Sequence, residues 1–230
     1  MCWRRWRARR GAADHEAARG RMVREQLEAR AITDPALLDA FRRVPRHAFA
    51  AEPEPPTAYG DHALPLPAGQ TISQPYIVAA MTSAAQPPGG WRGAQVLEVG
   101  TGSGYQAAIL AELGAEVVSI ERHRELSRLA AEQLVANGYH GVRLLVGDGS
   151  EGAPEWAPYD AIIVTAAGPS IPQPLIDQLA PSGGRLVMPI GSRDHQLVTV
   201  VERHGSEVRT RQLEPAVFVP LIGEHGFTDE

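Results

Sequence analysis

The 230 residues carry 22 basic side chains against 27 acidic ones, a formal net charge of −5. All 22 cations are Arg, which excludes lysine Schiff bases, a lysine general base and a P-loop lysine together. The single cysteine, Cys2, excludes a disulfide framework and any Cys-based zinc site.

The first ten residues, MCWRRWRARR, hold five Arg and no acid, so the rest of the chain sets 17 Arg against 27 acids. A body this acidic fits poorly on duplex nucleic acid, which selects basic faces. Residues 1–11 read as a disordered Arg-rich tail, and without an apolar run behind them they do not form a secretory signal. No stretch approaches the ~20 apolar residues that span a bilayer. The expectation is a cytoplasmic monomer with neither membrane nor nucleic-acid partners.

Residues 12–31 read as an amphipathic helix, with Ala17, Met22, Leu27 and Ile32 among the spaced apolar positions. Thr33-Asp34-Pro35 opens a second helix over 35–43, with Asp34 as N-cap and Pro35 in the first turn. An irregular stretch follows over 51–70, where Pro53, Pro55, Pro56, Pro65 and Pro67 exclude a central strand or a helix interior. Loops this long inside a compact domain are usually binding elements or disordered.

From residue 94 the chain alternates regularly. Ala94–Val99 is a short apolar strand that runs into glycines and a helix reaching Leu113. Glu116–Ile120 is the next strand, followed by a helix from His123 to Asn137 with Gly138 as its stop. Val142–Val146 and Ala161–Thr165 are strands, the latter apolar throughout, as suits a strand covered on both faces. A helix over Pro174–Leu179 precedes a strand at Arg185–Ile190. Gln196–Val201 and Val208–Leu213 flank the turn signal His204-Gly205. Repeated β-α-β units predict an α/β fold, a doubly wound and mainly parallel sheet with an antiparallel C-terminal edge.

The first strand delivers Gly100-Thr101-Gly102-Ser103-Gly104 into a helix, the arrangement that lets backbone approach a nucleotide at the carboxyl end of a sheet. Gly102-x-Gly104-x-x-Ala107 also satisfies a dinucleotide fingerprint, so an NAD-type oxidoreductase stays open. Two acids favour S-adenosyl-L-methionine. Glu98, beside the glycines, suits the ligand's ammonium and repels a pyrophosphate, and Asp148, in Gly147-Asp148-Gly149, can accept from an adenine amino group. Glu121, 21 residues past Gly100, can accept from both ribose hydroxyls of either cofactor.

Several segments carry a family likeness. Gly147–Gly152 with Ala157–Ile162, the segment Gln70-Thr71-Ile72-Ser73-Gln74-Pro75-Tyr76, Glu98–Gln106, Val164–Ala167 and Val217–Leu221 resemble the protein-L-isoaspartate O-methyltransferases in order and spacing over residues 20–223. Ala153 departs from the family, which usually has a bulky residue there. The resemblance implies an S-adenosylmethionine-dependent methyltransferase of Rossmann-like fold. Its domain would be 12–230, with 12–90 the helical and substrate-lid region, 91–230 the cofactor core, and isoaspartyl proteins and peptides the substrates. It implies Ser73 at the active site, where the bare sequence favours a helix cap. It also implies Gln70, Thr71 and Ile72 as a lid over the methionine end of the cofactor, with Gly100, Gly102, Gly104 and Gly149 lining its path. His62, just upstream, is a candidate substrate contact. The rival readings are a peptide-maturation Asp methyltransferase, a non-catalytic cofactor-binding adaptor and the oxidoreductase.

The acceptor in such a reaction is a carboxylate with a reference pKa of about 3.5, ionised at neutral pH. The leaving group is a neutral thioether. Neither a base nor an acid is required, so orientation and dryness are the whole task.

Overall fold

The computed structural model describes residues 13–51 and 54–228, so the Arg-rich start lies outside the described residues. Helix α1 covers residues 13–22 and continues as a π turn, Val23–Leu27, and a 3₁₀ turn, Glu28–Arg30. Helix α2, Pro35–Arg43, begins as the sequence predicts. The Asp34 carboxylate accepts from the amides of Ala36 (2.8 Å) and Leu37 (3.2 Å), which satisfies two orphan donors of the first turn.

A 3₁₀ turn, Arg46–Phe49, leads into the Pro-rich stretch. That stretch obeys the rule for Pro. Its one-turn helix α3, Pro55–Ala58, has Pro in the first turn, and its strands β1 (Leu64–Pro65) and β2 (Thr71–Ile72) form a two-residue antiparallel ribbon. Helix α4, Pro75–Ala85, follows.

The remainder alternates: β3 (Gln95–Val99), α5 (Tyr105–Glu112), β4 (Glu116–Glu121), α6 (Arg124–Ala136), β5 (Arg143–Val146), β6 (Ala161–Val164), α7 (Gln173–Asp177), β7 (Ser182–Gly191), β8 (Gln196–His204) and β9 (Glu207–Ala216). These strands form one seven-stranded sheet in the order β5-β4-β3-β6-β7-β8-β9. The pairs from β5 to β7 are parallel, and β8 and β9 close the edge antiparallel. The last three strands outrun the apolar segments that announced them, because ladder bonds continue into polar sequence.

Alternation along each parallel strand splits the core. Val96, Val117, Ala161 and Ile163 face α1, α2, α4 and α5, whereas Leu97, Val99, Ile162 and Val164 face α7 and the C-terminal segment. The chain reverses its direction of travel across the sheet between β3 and β6. A crevice opens there at the carboxyl ends of the strands.

Candidate active site

A cavity of about 270 Å³ occupies that crevice. Its floor is Val99 and Gly100 from the end of β3, Ile120 and Glu121 from β4, Gly149 after β5, and Thr165 and Ala166 after β6. Ala68, Gln70 and Thr71 close one side, and Val219, Pro220, Leu221 and Ile222 close the other.

The floor has no room for a Cβ at two of its glycines. Gly100 has φ +95°, and a Cβ on it would stand 2.4 Å from the Thr165 Oγ1. That hydroxyl donates to the Gly100 carbonyl (2.7 Å), so the contact is fixed. A Cβ on Gly149 would meet Val99 Cγ1 at 2.3 Å. Glu121 spans the end of β4 and the glycine turn. Its Oε2 accepts from the Gly102 amide and its Oε1 from the His123 amide, each at 2.9 Å. Each carboxylate oxygen therefore keeps lone-pair capacity for a hydroxyl, in a residue that lines the cavity.

Six expected site residues thus converge on one cavity: Gln70, Thr71, Gly100, Gly102, Glu121 and Gly149. The others lie elsewhere. Gly104 caps α5 with φ +87°, packed against Leu134. Ile72 is buried in the core beside α4, and its neighbour Ser73 is half-buried. The cap of α4 is Gln74, with no side-chain capping bond, so Ser73 does not serve as that cap. His62 is exposed and folds its ring over Gly60.

Glu98 does not reach the cavity. The alternation of β3 turns its side chain away from Val99 and toward the helices, where it is 0 % exposed. The Ser119 hydroxyl, directly opposite on β4, donates to its Oε2 and pairs in turn with Thr101 Oγ1 at 2.6 Å. Burial foremost, with the Glu121 charge adding to it, pushes the Glu98 carboxyl up to about 8 against the pull of its hydrogen bonds. A neutral acid behind the wall replaces the expected carboxylate beside an ammonium.

Asp148 is engaged as a clamp. Its Oδ1 accepts from the Ser150 amide (2.8 Å) and hydroxyl (2.7 Å), and its Oδ2 accepts from the Glu224 amide (2.7 Å). The Ser150 hydroxyl also accepts from the His225 amide at 3.0 Å. Partial burial pushes the Asp148 carboxyl up, but these hydrogen bonds outweigh it and hold it below its usual value. The clamp fixes the C-terminal segment that supplies Val219–Ile222 to the cavity. Leu221 completes the attachment by donating its backbone N–H to the Ala167 carbonyl (2.7 Å). Ala153 is buried and does not line the cavity, and the Tyr159 hydroxyl donates to its carbonyl (2.7 Å).

Some lining residues escaped the residue-level reading. The sequence marks Thr165 only as the end of a strand and part of a family-like segment, and Val219–Leu221 only as a family-like segment. Arg193 stands in the β7–β8 turn, where its Nη2 donates to the Thr228 carbonyl (2.9 Å) and its guanidinium covers the Phe227 ring. Nothing local in the sequence marked it.

The family model for protein-L-isoaspartate(D-aspartate) O-methyltransferase matches residues 17–226. The chain belongs to this family. A protein-L-isoaspartate O-methyltransferase from Methanoculleus marisnigri is 53 % identical over 213 residues, covering 92 % of this chain and 94 % of that one. A solved protein-L-isoaspartate O-methyltransferase, 28 % identical, superposes with a TM-score of 0.78 over 90 % of this chain and 67 % of its own. A putative family structure from Plasmodium falciparum, in complex with S-adenosyl-L-homocysteine, shares the fold at 22 % identity, with a TM-score of 0.75 over 90 % of this chain and 98 % of its own. Methyltransferase membership removes the nicotinamide reading that the glycine spacing had left open.

Proposed function

We infer that the protein transfers a methyl group from S-adenosyl-L-methionine to the α-carboxyl of L-isoaspartyl residues in damaged proteins and peptides. The following backbone nitrogen then displaces methanol from the ester to close a succinimide, whose hydrolysis partly restores the normal backbone. The observation that carries the cofactor assignment is the Glu121 carboxylate, tied to the Gly102 amide on the cavity floor with acceptor capacity to spare.

When bound, the cofactor supplies a methyl group on a sulfonium, which departs as a neutral thioether. The chain's own residues hold, orient and exclude. Glu121 would accept from the ribose hydroxyls, and the missing Cβ atoms at Gly100 and Gly149 let the floor close onto Thr165 and Val99 beneath the site. Gln70 and Thr71 cover one side while Val219–Ile222 cover the other, keeping water from the reacting pair. Ser73 is the donor assigned to the acceptor carboxylate. Among the described residues its hydroxyl has no hydrogen-bond partner, so it is available to an incoming anion.

Residues 12–230 act in this reading as one catalytic domain, a monomer with extended peptides as its partners and no nucleic acid. Among the described residues no helix is long and apolar enough to cross a membrane. A cytoplasmic location is the natural setting for repair of aged protein.

The deciding experiment offers matched isoaspartyl and aspartyl peptides with labelled S-adenosyl-L-methionine. Label on the isoaspartyl peptide alone is expected. Equal label on both, or on neither, would refute the assignment.

A further inference from the structure

Beneath the Ser73 loop lies a cation that the reaction above does not use. Arg46, in the 3₁₀ turn after α2, is 0 % exposed. No carboxylate among the described residues pairs with it. Its Nε donates to the Ala58 carbonyl (3.0 Å) and its Nη2 to the Ser73 carbonyl (2.9 Å), with the His62 carbonyl at the edge of hydrogen-bond range, 3.5 Å away. Among the described residues Nη1 has no hydrogen-bond partner, and the guanidinium carbon sits 4.9 Å from the centre of the Tyr105 ring. Tyr105 is the first residue of α5, immediately after Gly104 of the glycine turn.

Space-filling does not explain an arginine here. Desolvating a charge costs several kcal/mol, and an apolar side chain of similar volume often packs the same space with equal or better stability. What only the guanidinium offers is a rigid planar fork, able to hold carbonyls from separate segments in fixed relation. The segments it holds are the end of α3, the loop at His62 and the loop at Ser73. All three are tied back to a ring on the helix that starts at the cofactor turn.

The residue after Ser73 is pinned independently. Gln74 Nε2 donates to the Asp61 Oδ1 (2.8 Å) and carbonyl (3.2 Å), and Asp61 pairs with Arg30 of the N-terminal helical turns. The peptide on either side of the Ser73 hydroxyl is therefore fixed while the hydroxyl stays free.

We propose that Arg46 is a positioning residue for the methyl acceptor: by gripping the Ser73 carbonyl and resting on Tyr105, it sets the Ser73 hydroxyl at a fixed distance from the glycine turn. The proposal rests on the reading of Ser73 as the donor to the acceptor carboxylate. It assigns Arg46 no contact with substrate or cofactor.

The test uses the intact chain with Arg46→Lys, Arg46→Gln, Ser73→Ala and the Arg46→Gln/Ser73→Ala double variant. Steady-state kinetics on an isoaspartyl peptide are paired with calorimetric binding of S-adenosyl-L-homocysteine. A misplacement of about 1 Å costs on the order of 100-fold, so kcat should fall roughly 10- to 100-fold in both Arg46 variants. Homocysteine-ligand affinity should stay within about twofold, because the cavity floor does not include Arg46. Lys, a point charge without the fork, should not restore the rate. In the Ser73→Ala background, Arg46→Gln should cost less than about twofold more, as two residues acting through one contact are not additive.

Additive losses in the double variant, with Ser73→Ala itself impaired, would overturn the Arg46 proposal and leave the Ser73 assignment standing. An unchanged Ser73→Ala enzyme would remove both. Full activity in Arg46→Lys, or failure of both single variants to bind the homocysteine ligand, would show that Arg46 serves charge balance or the whole fold instead.

Discussion

Replacing Glu98 with Gln should make the protein's stability less sensitive to pH. The carboxyl is buried behind β3 and titrates at about 8, against a reference value of 4.5. Below pH 4.5 both folded and unfolded chains hold the proton, and this group adds no slope. Between 4.5 and about 8 the unfolded chain releases a proton that the folded chain keeps, so stability falls as pH rises. The window is about 3.5 pH units wide, and at about 1.4 kcal/mol per unit the accumulated loss is on the order of 5 kcal/mol, of which about 3 is already present at pH 7. Gln cannot titrate, and its carbonyl can still accept from the Ser119 hydroxyl. Its amide group replaces an oxygen that is buried without a partner among the described residues, which moves the absolute stability of the variant but not its slope. Urea unfolding of both proteins without cofactor, at intervals from pH 5 to 8.5, gives the difference directly, since every other titrating group cancels. The Gln variant should gain on the wild type steadily with pH and level off near 8. A difference constant across that range would mean that Glu98 is ionised in the folded protein, and the reasoning from burial would be wrong.

Three further outcomes follow from the cavity walls. Glu121→Gln should weaken binding of S-adenosyl-L-homocysteine at least about tenfold, roughly the worth of one charge-assisted hydrogen bond, measured by calorimetry. Asp148→Ala strips acceptors from the Ser150 and Glu224 amides and should cost about 1–3 kcal/mol of stability. Hydrogen exchange in that variant should speed up over residues 219–228 while β3 and β6 stay protected, and uniform loss would contradict a local clamp. Gly149→Ala puts a Cβ 2.3 Å from Val99 Cγ1 and should depress both melting temperature and cofactor affinity. Adding Val99→Ala should recover part of both, and no recovery would mean that the clash is not the cause.

What the sequence made legible was governed by short-range rules. Asp34-Pro35 announced the start of α2, and alternating apolar runs separated by glycine turns announced the parallel strands. The same period-2 rule, applied one residue further, puts Glu98 on the face of Val96 and away from Val99, so its burial was readable from β3 alone. Asp148 was another matter. Its decisive partner, the Glu224 amide, lies 76 residues away, and no spacing rule connects an acid after one strand to a backbone amide near the C-terminus. Arg46 was equally opaque, because its partners are carbonyls, which every residue possesses. The convergence of Gln70 and Thr71 with Glu121 and Gly149 came from family likeness, since the β1–β2 ribbon that presents the first two is only two residues deep.

The clamp between Asp148 and Glu224 also gives the cavity a schedule. By residue 216 the chain contains the sequence of every strand of the seven-stranded sheet and of the glycine turn. It does not yet contain the wall formed by Val219–Ile222, nor the amide that Asp148 holds. A nascent or nicked chain ending there would present a nucleotide cradle open on one side to water. Residues 217–228 therefore supply both the last wall of the cavity and the amide that holds it in place.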